Sequence, residues 1–273
     1  MTTEHIKTFQ KIIHDFYTLN KRDFLWREDI SPYKIFVSEI MLQQTQTARV
    51  EPKFAAWLQK FPDFKSLASA SKEQVLSAWQ GLGYNRRGLA LHSGAQRIVS
   101  EFNGCLPDSE QALQTFVGIG PNTAASICAF AFNKPVVFIE TNIRTVFLHH
   151  FFSEQTDVDD KQILQLVAAS LDKQNPRDWY YGLMDYGVYL KKEFKANNKR
   201  SRHFIKQSKF IGSRRQVRGA IVRILTQVKR LSHDELGELV KQEIPYSVHD
   251  VDIVLQQLIG EGLVQQHDEH YYL

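Results

Sequence analysis

Apolar residues recur at intervals of three and four along the first two hundred residues, and this spacing constrains the fold more than any other feature of the chain. In the first 20 residues they stand at positions 6, 9, 12, 13, 16 and 17, which places one apolar stripe along a helix. Ser71 and Gln74 form a capping-box signal before another such run, and Pro32 precedes a third. Strand signals are few, and the β-branched run at 136–139 is too isolated to found a sheet. The pattern predicts an all-α fold for this part.

Length and composition favour a globular protein of two domains. The chain has 273 residues, 43% of them hydrophobic, and single cores stop growing near roughly 250 to 300 residues. No apolar run approaches the roughly 18 to 20 residues of a membrane span, and charged residues interrupt the N-terminal apolar pattern, which spoils a signal peptide. Two cysteines exclude a framework of several disulfides and a four-cysteine metal site within one chain. We therefore expect a cytoplasmic monomer with no membrane partner, associated with the nucleoid in a bacterium.

Basic charge is concentrated in one stretch. Between positions 191 and 218 there are eleven Lys and Arg residues and one acid, a local charge of +10, while the other 245 residues sum to −6. Such a stretch predicts a polyanionic partner, because each cation that meets a phosphate releases a condensed counterion. The alternative is a solvated linker that is merely basic. The chain divides by these signals into a helical domain at 1–190, a basic linker at 191–215 and a C-terminal domain at 216–273.

The C-terminal domain has a different pattern from the rest. Residues 216–228 and 247–259 have helical spacing, Ser232 with Glu235 caps a helix between them, and the last eleven residues indicate two short strands around a polar turn. Three helices and a hairpin are typical of a small winged-helix domain, whose third helix commonly enters a DNA major groove. Here the third helix is acidic, which favours a scaffold or a weak DNA-binding role.

A Gly-hydrophobic-Gly turn joins two of the predicted helices. Gly118 and Gly120 flank Ile119 in FVGIGPNTAAS, and small residues follow from Thr123. Glycines at this spacing allow a sharp turn that presents bare N–H groups at a helix N-terminus, where a phosphate oxygen can sit. A Gly-x-Gly between helices is otherwise often just a turn. With the small residues that follow it, the helix-hairpin-helix pattern predicts contact with a DNA backbone without base specificity.

Five segments resemble, in the same order, those of the helix-hairpin-helix DNA glycosylases, and most of all the MutY-type adenine glycosylases. The segments are WR at 26–27, SEIMLQQTQ at 38–46, GLGY at 81–84, GIGPNTA at 118–124 and ETNIR at 140–144. The resemblance implies a two-lobed, all-α catalytic fold with a DNA cleft between the lobes, followed here by the small winged-helix-like domain. It also implies a base excision repair enzyme that hydrolyses the N-glycosidic bond of a flipped base in double-stranded DNA.

Glu39 falls on the position that the MutY-type enzymes use as general acid. Cleavage of an N-glycosidic bond needs an acid for the leaving base and an anion for the cationic sugar. Because Glu39 lies in the apolar segment IFVSEIML, desolvation is expected to raise its pKa, as an acid requires. Without the resemblance, a Glu on the solvent face of an amphipathic helix is the simpler interpretation.

The second carboxylate departs from the family pattern. Glu140 stands at the head of a helix where the family usually has Asp, which stabilises the oxocarbenium-like sugar and assists the nucleophile. One added methylene moves the carboxylate by roughly 1 Å, and misplacement of that size can cost about a hundredfold in rate. Either the pocket is reshaped around Glu140 or its catalytic contribution is reduced. A helix-N-terminal charge without catalytic function is the alternative.

Asn122 and the small number of cysteines bear on the lyase activity and on the cofactor. Bifunctional relatives such as the endonuclease III type have Lys at the position of Asn122, and an amide cannot form their Schiff base, so we expect a monofunctional glycosylase without lyase activity. The family's iron–sulfur loop would follow residues 182–190, but no cysteine occurs after Cys128, so no cofactor is expected. A structural monovalent cation held by the hairpin carbonyls is compatible with the resemblance.

Adenine opposite 8-oxoguanine or guanine is the leading target. We expect the winged-helix-like tail to replace the domain with which typical MutY enzymes inspect the opposite base, and Asn85 stands where an aromatic residue is more usual. Uracil, thymine or an oxidised pyrimidine is therefore an alternative target, and a non-catalytic damage sensor is a second alternative. The pair His149-His150 is a poor ligand set, because adjacent helix residues point about 100° apart, and no metal site is expected.

Further residues are candidates for contact with the substrate or the DNA. Arg27 and Tyr84 are candidates for the base pocket and Gln44 for a wedge into the vacated stack, although each has a core or surface alternative. The others belong to the hairpin, the SEIMLQQTQ segment or the basic stretch. They are Gln43, Gly118, Gly120, Asn122, Thr123, Lys206, Lys209, Arg214 and Arg215.

Overall fold

The computed structural model describes residues 2–204, 209–245, 247 and 249–273. The chain forms two compact units that are interleaved along the sequence, Met1–Glu39 with Pro107–Lys206 and Ile40–Leu106 with Gln207–Leu273. Neither unit is one continuous stretch, and the first passage between them lies inside a helix. The division at 190 and 215 remains a prediction.

The described secondary structure is predominantly helical, as the apolar spacing predicts. In chain order the helices are α1 (Thr3–Asn20), α2 (Leu25–Glu28), α3 (Pro32–Leu42), α4 (Thr47–Lys60), α5 (Phe64–Ala68), α6 (Lys72–Trp79), α7 (Arg86–Glu101), α8 (Glu110–Leu113), α9 (Pro121–Phe132), α10 (Thr141–Phe151), α11 (Asp160–Ser170), α12 (Pro176–Glu193), α13 (Arg214–Val228), α14 (His233–Glu243) and α15 (Val251–Gly260). The strands are β1 (Leu231–Ser232), β2 (Gln265–His267) and β3 (His270–Tyr272). None of the described helices has the length and apolar character to cross a membrane.

The first unit is built around α1, α10 and α12, which pack through their apolar stripes. Phe9 of α1 meets Phe147 of α10 and Trp179 of α12 edge to face, with ring centroids 5.3 and 5.8 Å apart, and all three rings are buried. Gly187 allows α12 to approach α10 closely, because a Cβ there would lie 2.5 Å from the carbonyl oxygen of Asn142. This packing fixes the N-terminus of α10 against α12.

The second unit joins the central helices and the C-terminal part of the chain in one apolar core. Leu76 of α6 lies in the same buried cluster as Ile221 of α13 and Leu255 of α15. The three short strands form an antiparallel sheet in the order β1-β3-β2, with Leu231 of β1 opposite Tyr271 of β3. The three helices and the sheet agree with the predicted winged-helix-like pattern, but their core is continuous with that of α6.

Local signals in the sequence account for several helix starts. The capping boxes at Ser71 and Ser232 are both formed, with reciprocal hydrogen bonds at the third helical residue. Helix α15 begins at Val251, four residues later than the helical spacing from 247 predicts, because Asp250 supplies its N-cap. The two-residue strand β1 has no signal of its own in the sequence, and it pairs with β3.

Candidate active site

Glu39 is held in a shielded position near the end of α3. Its side chain is partly buried, and Ser38 before it is fully buried. The hydroxyl of Ser126 on α9 lies 2.5 Å from Oε2 of Glu39 and 3.0 Å from the carbonyl oxygen of Thr123. A hydroxyl has one proton and can also accept, so Ser126 can donate to the carboxylate, or donate to Thr123 while it accepts from the carboxylic acid. Ser126 can therefore stabilise Glu39 in either protonation state.

Burial raises the pKa of Glu39 to about 7, because desolvation disfavours the charged form of a carboxyl group. The hydrogen bond from Ser126 lowers this pKa, the negative charge of Glu140 raises it, and Arg27 lowers it. A carboxyl group with a pKa near neutrality can hold a proton and release it at neutral pH, which is what a general acid does.

Glu140 caps the N-terminus of α10. Its Oε1 accepts hydrogen bonds from the backbone N–H groups of Asn142 at 2.7 Å and Ile143 at 2.9 Å, and its Oε2 accepts from Nδ2 of Asn142 at 3.3 Å. Asp and Asn are the usual residues at such a position, and the longer side chain of Glu140 folds back to make the same contacts. Since each carboxylate oxygen has about two lone-pair sites, Oε2 keeps acceptor capacity beyond its one bond.

A hydrogen-bonded chain from α12 orients Glu140. Nζ of Lys191 donates to Oδ1 of Asn142 at 2.6 Å, and Asn142 donates to Glu140 through its backbone and its side chain. Burial lowers the pKa of Lys191, and the charge of Glu140 opposes that shift. By sequence Lys191 belongs to the basic stretch, but it lies beside a candidate catalytic carboxylate.

Arg27 belongs to a buried ion cluster of the first unit. Its guanidinium donates to both carboxylate oxygens of Asp185, at 2.8 and 3.1 Å, and lies over the ring of Tyr181 at 4.1 Å from the centroid. Asp185 also accepts from the backbone N–H and the guanidinium of Arg22, at 2.9 and 2.7 Å. Arg27 is therefore fixed by core contacts, and its role in a base pocket remains a prediction.

Tyr181 connects this cluster with the surroundings of Glu39. Its ring is buried and stacks on Phe130 with centroids 4.4 Å apart, and its hydroxyl has no hydrogen-bond partner among the described residues. Burial raises the pKa of Tyr181, and the charge of Glu39 raises it further, so the hydroxyl stays protonated. Sequence reasoning missed Tyr181 and Ser126, because the contact between Ser126 and Glu39 spans 87 positions and no local pattern records it.

The predicted hairpin turn is exposed at its tip. Gly118 has a φ of +80°, which favours glycine, whereas Gly120 has an ordinary φ of −88° and precedes α9 as its N-cap without a side-chain hydrogen bond. Gly118, Gly120 and Asn122 are exposed, and Thr123 is partly exposed. The absence of a side-chain cap at the start of α9 suits a phosphate oxygen in that position.

In the second unit, Gln44 and Tyr84 lie in two loops and have left-handed backbone conformations. Their φ angles are +54° and +49°, and both residues are exposed. Such conformations cost on the order of 1–3 kcal/mol in residues other than glycine and persist only where the surrounding structure holds them. Arg87 holds both loops, because its guanidinium donates to the carbonyl oxygen of Gln43 in one and of Gly83 in the other. Arg87 is a further residue that sequence reasoning missed.

The basic stretch does not form one separate element. Lys206 lies outside the described residues, and Lys209 and Arg214 are exposed. Arg215 donates to the hydroxyl of Tyr84 at 2.9 Å within the second unit. Lys191, Arg200 and Arg202 of the stretch are bonded to protein groups of the first unit.

The described residues offer no cluster of three or more His, Cys, Asp or Glu side chains that could hold a metal ion. Cys105 is exposed and Cys128 is buried, and these two sulfurs cannot supply the four thiolates that an iron–sulfur cluster requires. His150 lies 3.1 Å from the hydroxyl of Tyr186, and burial lowers the pKa of His150 to about 4. That histidine is therefore a neutral, packed side chain.

Comparison with known proteins places these residues in a family context. The model of the HhH-GPD superfamily base excision DNA repair proteins matches residues 37–171, which include Glu39, Ser126 and Glu140. The human adenine DNA glycosylase is 32% identical over 195 residues, which are 67% of this chain and 36% of that protein. The adenine DNA glycosylase of Mycolicibacterium smegmatis is 38% identical over 156 residues, which are 57% of this chain and 53% of that protein. The chain thus spans about half or less of the length of these relatives.

A solved structure shows the same fold. The structure of a thermostable thymine-DNA glycosylase superposes with a TM-score of 0.60 at 23% identity, over 68% of this chain and 87% of that chain. The agreement confirms the predicted helix-hairpin-helix fold.

Proposed function

Because the chain belongs to the HhH-GPD superfamily of base excision DNA repair proteins, we propose that it is a monofunctional DNA glycosylase that removes adenine opposite 8-oxoguanine or guanine. The choice of adenine follows from relatives that are named adenine DNA glycosylases and are 32% and 38% identical to this chain. The observation that carries the proposal is the environment of Glu39, a partly buried carboxyl group with a pKa of about 7.

Glu39 acts as the general acid on the base. A purine leaves deoxyribose poorly unless it is protonated, and the protonated carboxyl group supplies that proton as the bond between the sugar and the base breaks. The hydroxyl of Ser126 then donates to the carboxylate that remains, at the 2.5 Å separation seen here. The hydroxyl of Tyr181 is buried and has no hydrogen-bond partner among the described residues.

Glu140 acts on the sugar. Departure of the base leaves a cationic, oxocarbenium-like sugar, and an anion near it lowers the barrier. Oε1 of Glu140 accepts from two backbone N–H groups and Oε2 from one side-chain amide, so Oε2 has the greater remaining capacity to act on the sugar. Water adds to the sugar carbon and loses its proton to a carboxylate, which leaves an abasic site and a free base.

Duplex DNA is the proposed partner, and no lyase step is proposed. The exposed hairpin with Gly118, Gly120 and Thr123 would contact the backbone through N–H groups, and hairpin carbonyls would hold a monovalent cation there. Asn122 has an amide where a Schiff base needs an amine. Gln44, held in a strained conformation on an exposed loop, would enter the base stack, and Tyr84, held in a similar conformation, would line the base pocket.

We further propose that the reaction needs no metal or redox cofactor and that the protein works as a cytoplasmic monomer, associated with the nucleoid if its source is bacterial. The four-thiolate cluster that the family's architecture implies does not fit the two cysteines of this chain. Assay in the presence of a chelator, with full activity as the expected result, tests the first part. Sedimentation of the purified protein tests the second.

A panel of duplexes with single lesions tests the function. Purified protein is incubated under single-turnover conditions, and abasic sites are revealed by alkali. Strand cleavage at A opposite 8-oxoguanine or G, and none without alkali, is the expected result. Turnover only at uracil, thymine or oxidised pyrimidines would replace adenine as the target.

The Glu39→Gln variant tests the mechanism. It should release no base while it binds the same duplexes, because the amide keeps the shape of the side chain and lacks the acidic proton. Glu154→Gln, which changes an exposed glutamate of the same unit, is the matched control and should behave as wild type. Tight binding with no base release by the wild-type protein would identify a damage sensor instead.

A further inference from the structure

The C-terminal part of the chain forms a cleft with the loop that contains Tyr84. The cleft has a volume of about 430 Å³ and lies wholly within the second unit, between residues 80–86 and helices α13 and α15. Its floor is apolar, with Val222, Leu258 and Leu263. Its walls carry five cations, and these are Lys53, Arg86, Arg215, Arg218 and Arg223.

Nearby acids neutralise only part of this charge. Glu261 is bonded to Arg218 and lies 3.9 Å from Arg86, and Glu243 is bonded to Arg223. Lys53 has no salt bridge within the part of the chain that the structure describes, and Arg215 donates a hydrogen bond to the phenol of Tyr84. Five cations against two acids leave a positive cleft that suits an anion.

The start of α13 adds an independent observation. Helix N-termini carry partial positive charge and favour acidic residues in the first turn. Helix α13 has none there and instead begins with Arg214 and Arg215. The two guanidinium groups and the partial positive charge of the helix N-terminus repel one another. An anionic ligand bound at this position would offset that repulsion.

The contact between Arg215 and Tyr84 indicates the class of ligand that the cleft suits. The Tyr84 ring is 40% exposed, its backbone is held in the left-handed region, and its hydroxyl accepts a hydrogen bond from Arg215 at 2.9 Å. Cations beside an exposed aromatic ring form the arrangement that nucleic-acid-binding grooves use, with phosphates on the cations and a base face on the ring.

We propose that this cleft binds the sugar–phosphate backbone of a DNA strand beside Tyr84, with Arg86 and Arg215 as phosphate ligands, so that the C-terminal part of the chain completes the DNA-binding surface. The choice of DNA rests on the function proposed above. The acidic third helix of the tail, α15, then supplies part of the cleft floor and does not have to enter a DNA major groove.

Salt-dependent binding tests the cleft. All proteins carry Glu39→Gln so that no base is removed, and affinity for a lesion duplex is measured from 50 to 300 mM salt. Each lost phosphate contact lowers the slope of log K against log salt by about 0.9. Arg86→Gln with Arg215→Gln should therefore reduce the slope by about 2 and weaken binding roughly 10- to 100-fold at low salt. Lys241→Gln, an exposed cation of the same tail that does not line the cleft, should stay within about twofold of the parent.

Two further outcomes separate the possible failures. Arg86 is exposed and lies 3.9 Å from Glu261, so Arg86→Gln alone folds normally and should lower the slope by about 1. If both Arg variants match Lys241→Gln, the cleft does not contact DNA and Arg215 only joins the tail to the loop. If the slope falls as expected but wild-type protein releases no base from any duplex, the proposed catalysis fails and the DNA-binding cleft stands.

Discussion

Replacement of Glu39 by Gln should stabilise the folded protein at high pH in the same variant that loses activity. The pKa of Glu39 is about 7 in the folded protein, against an ordinary 4.5. Since one pKa unit corresponds to about 1.4 kcal/mol, ionised Glu39 costs roughly 3 kcal/mol of folding free energy. Because the side chain is partly exposed, we expect the measured value to be on the order of 2 to 3 kcal/mol.

The sign follows from proton binding. Between pH 4.5 and 7 the folded protein holds a proton on Glu39 that the unfolded chain has lost, so the free energy of unfolding falls as pH rises through this window. Below pH 4.5 both states are protonated and the cost is absent; above pH 7 it is fully present. Gln is neutral throughout and accepts the hydrogen bond from Ser126 through its amide oxygen.

Thermal unfolding at pH 5 and pH 8 measures the effect. A chain of this size changes its midpoint by roughly 2 to 4 °C per kcal/mol, so the variant should unfold about 4 to 12 °C above wild type at pH 8 and close to it at pH 5. Glu154→Gln should show no such trend. An equal difference at both pH values, or a less stable variant at pH 8, would refute the assignment of a raised pKa to Glu39.

Three further substitutions test the surroundings of the two carboxylates and the loop that carries Tyr84. Ser126→Ala removes the hydrogen bond that lowers the pKa of Glu39, so the alkaline limb of the pH–rate profile should move up by as much as about one pH unit, and a downward move contradicts the geometry. Glu140→Asp keeps a good N-cap but moves the carboxylate by roughly 1 Å, so single-turnover excision should slow about 10- to 100-fold with an unchanged unfolding midpoint, and faster excision would show that the site is not built around Glu. Arg87→Lys replaces a planar fork by a point charge and leaves loop carbonyls unpaired, so urea unfolding should report a loss of about 1–3 kcal/mol, and unchanged stability would mean that Arg87 does not hold the loops.

Local sequence signals were sufficient for the helices but not for the way in which they assemble. The Ser71 capping box and the glycine turn at 118 act over a few residues, and their structures follow from the pattern alone. The sequence of the tail predicts a separate domain, because its three helices and its hairpin match the winged-helix pattern. Only packing shows that its core continues into Leu76 of α6, since apolar periodicity marks a buried face without naming its partner.

In the candidate site, too, the sequence predicts features that depend on neighbouring residues and misses contacts between residues far apart in the chain. The resemblance located Glu39 and Glu140, and the apolar neighbours of Glu39 predicted its raised pKa. The groups that tune these carboxylates are distant in sequence, because Ser126 lies 87 positions from Glu39 and Lys191 lies 49 positions from Asn142. The sequence predicts Arg27 as a residue of the base pocket. Its hydrogen bond to Asp185, 158 positions away, could not be predicted from a local pattern.

Glu39 and Glu140 are the same residue type, so the different roles proposed for them must come from their surroundings. Glu39 receives one hydrogen bond, from a hydroxyl that can also accept, and its shielded place favours the neutral acid. Glu140 receives hydrogen bonds from two backbone N–H groups and a side-chain amide at a helix N-terminus. An acid for the base and an anion for the sugar are the two requirements of N-glycosidic cleavage. The extra methylene of Glu140 does not prevent the N-cap contacts, because the longer side chain folds back onto its own helix.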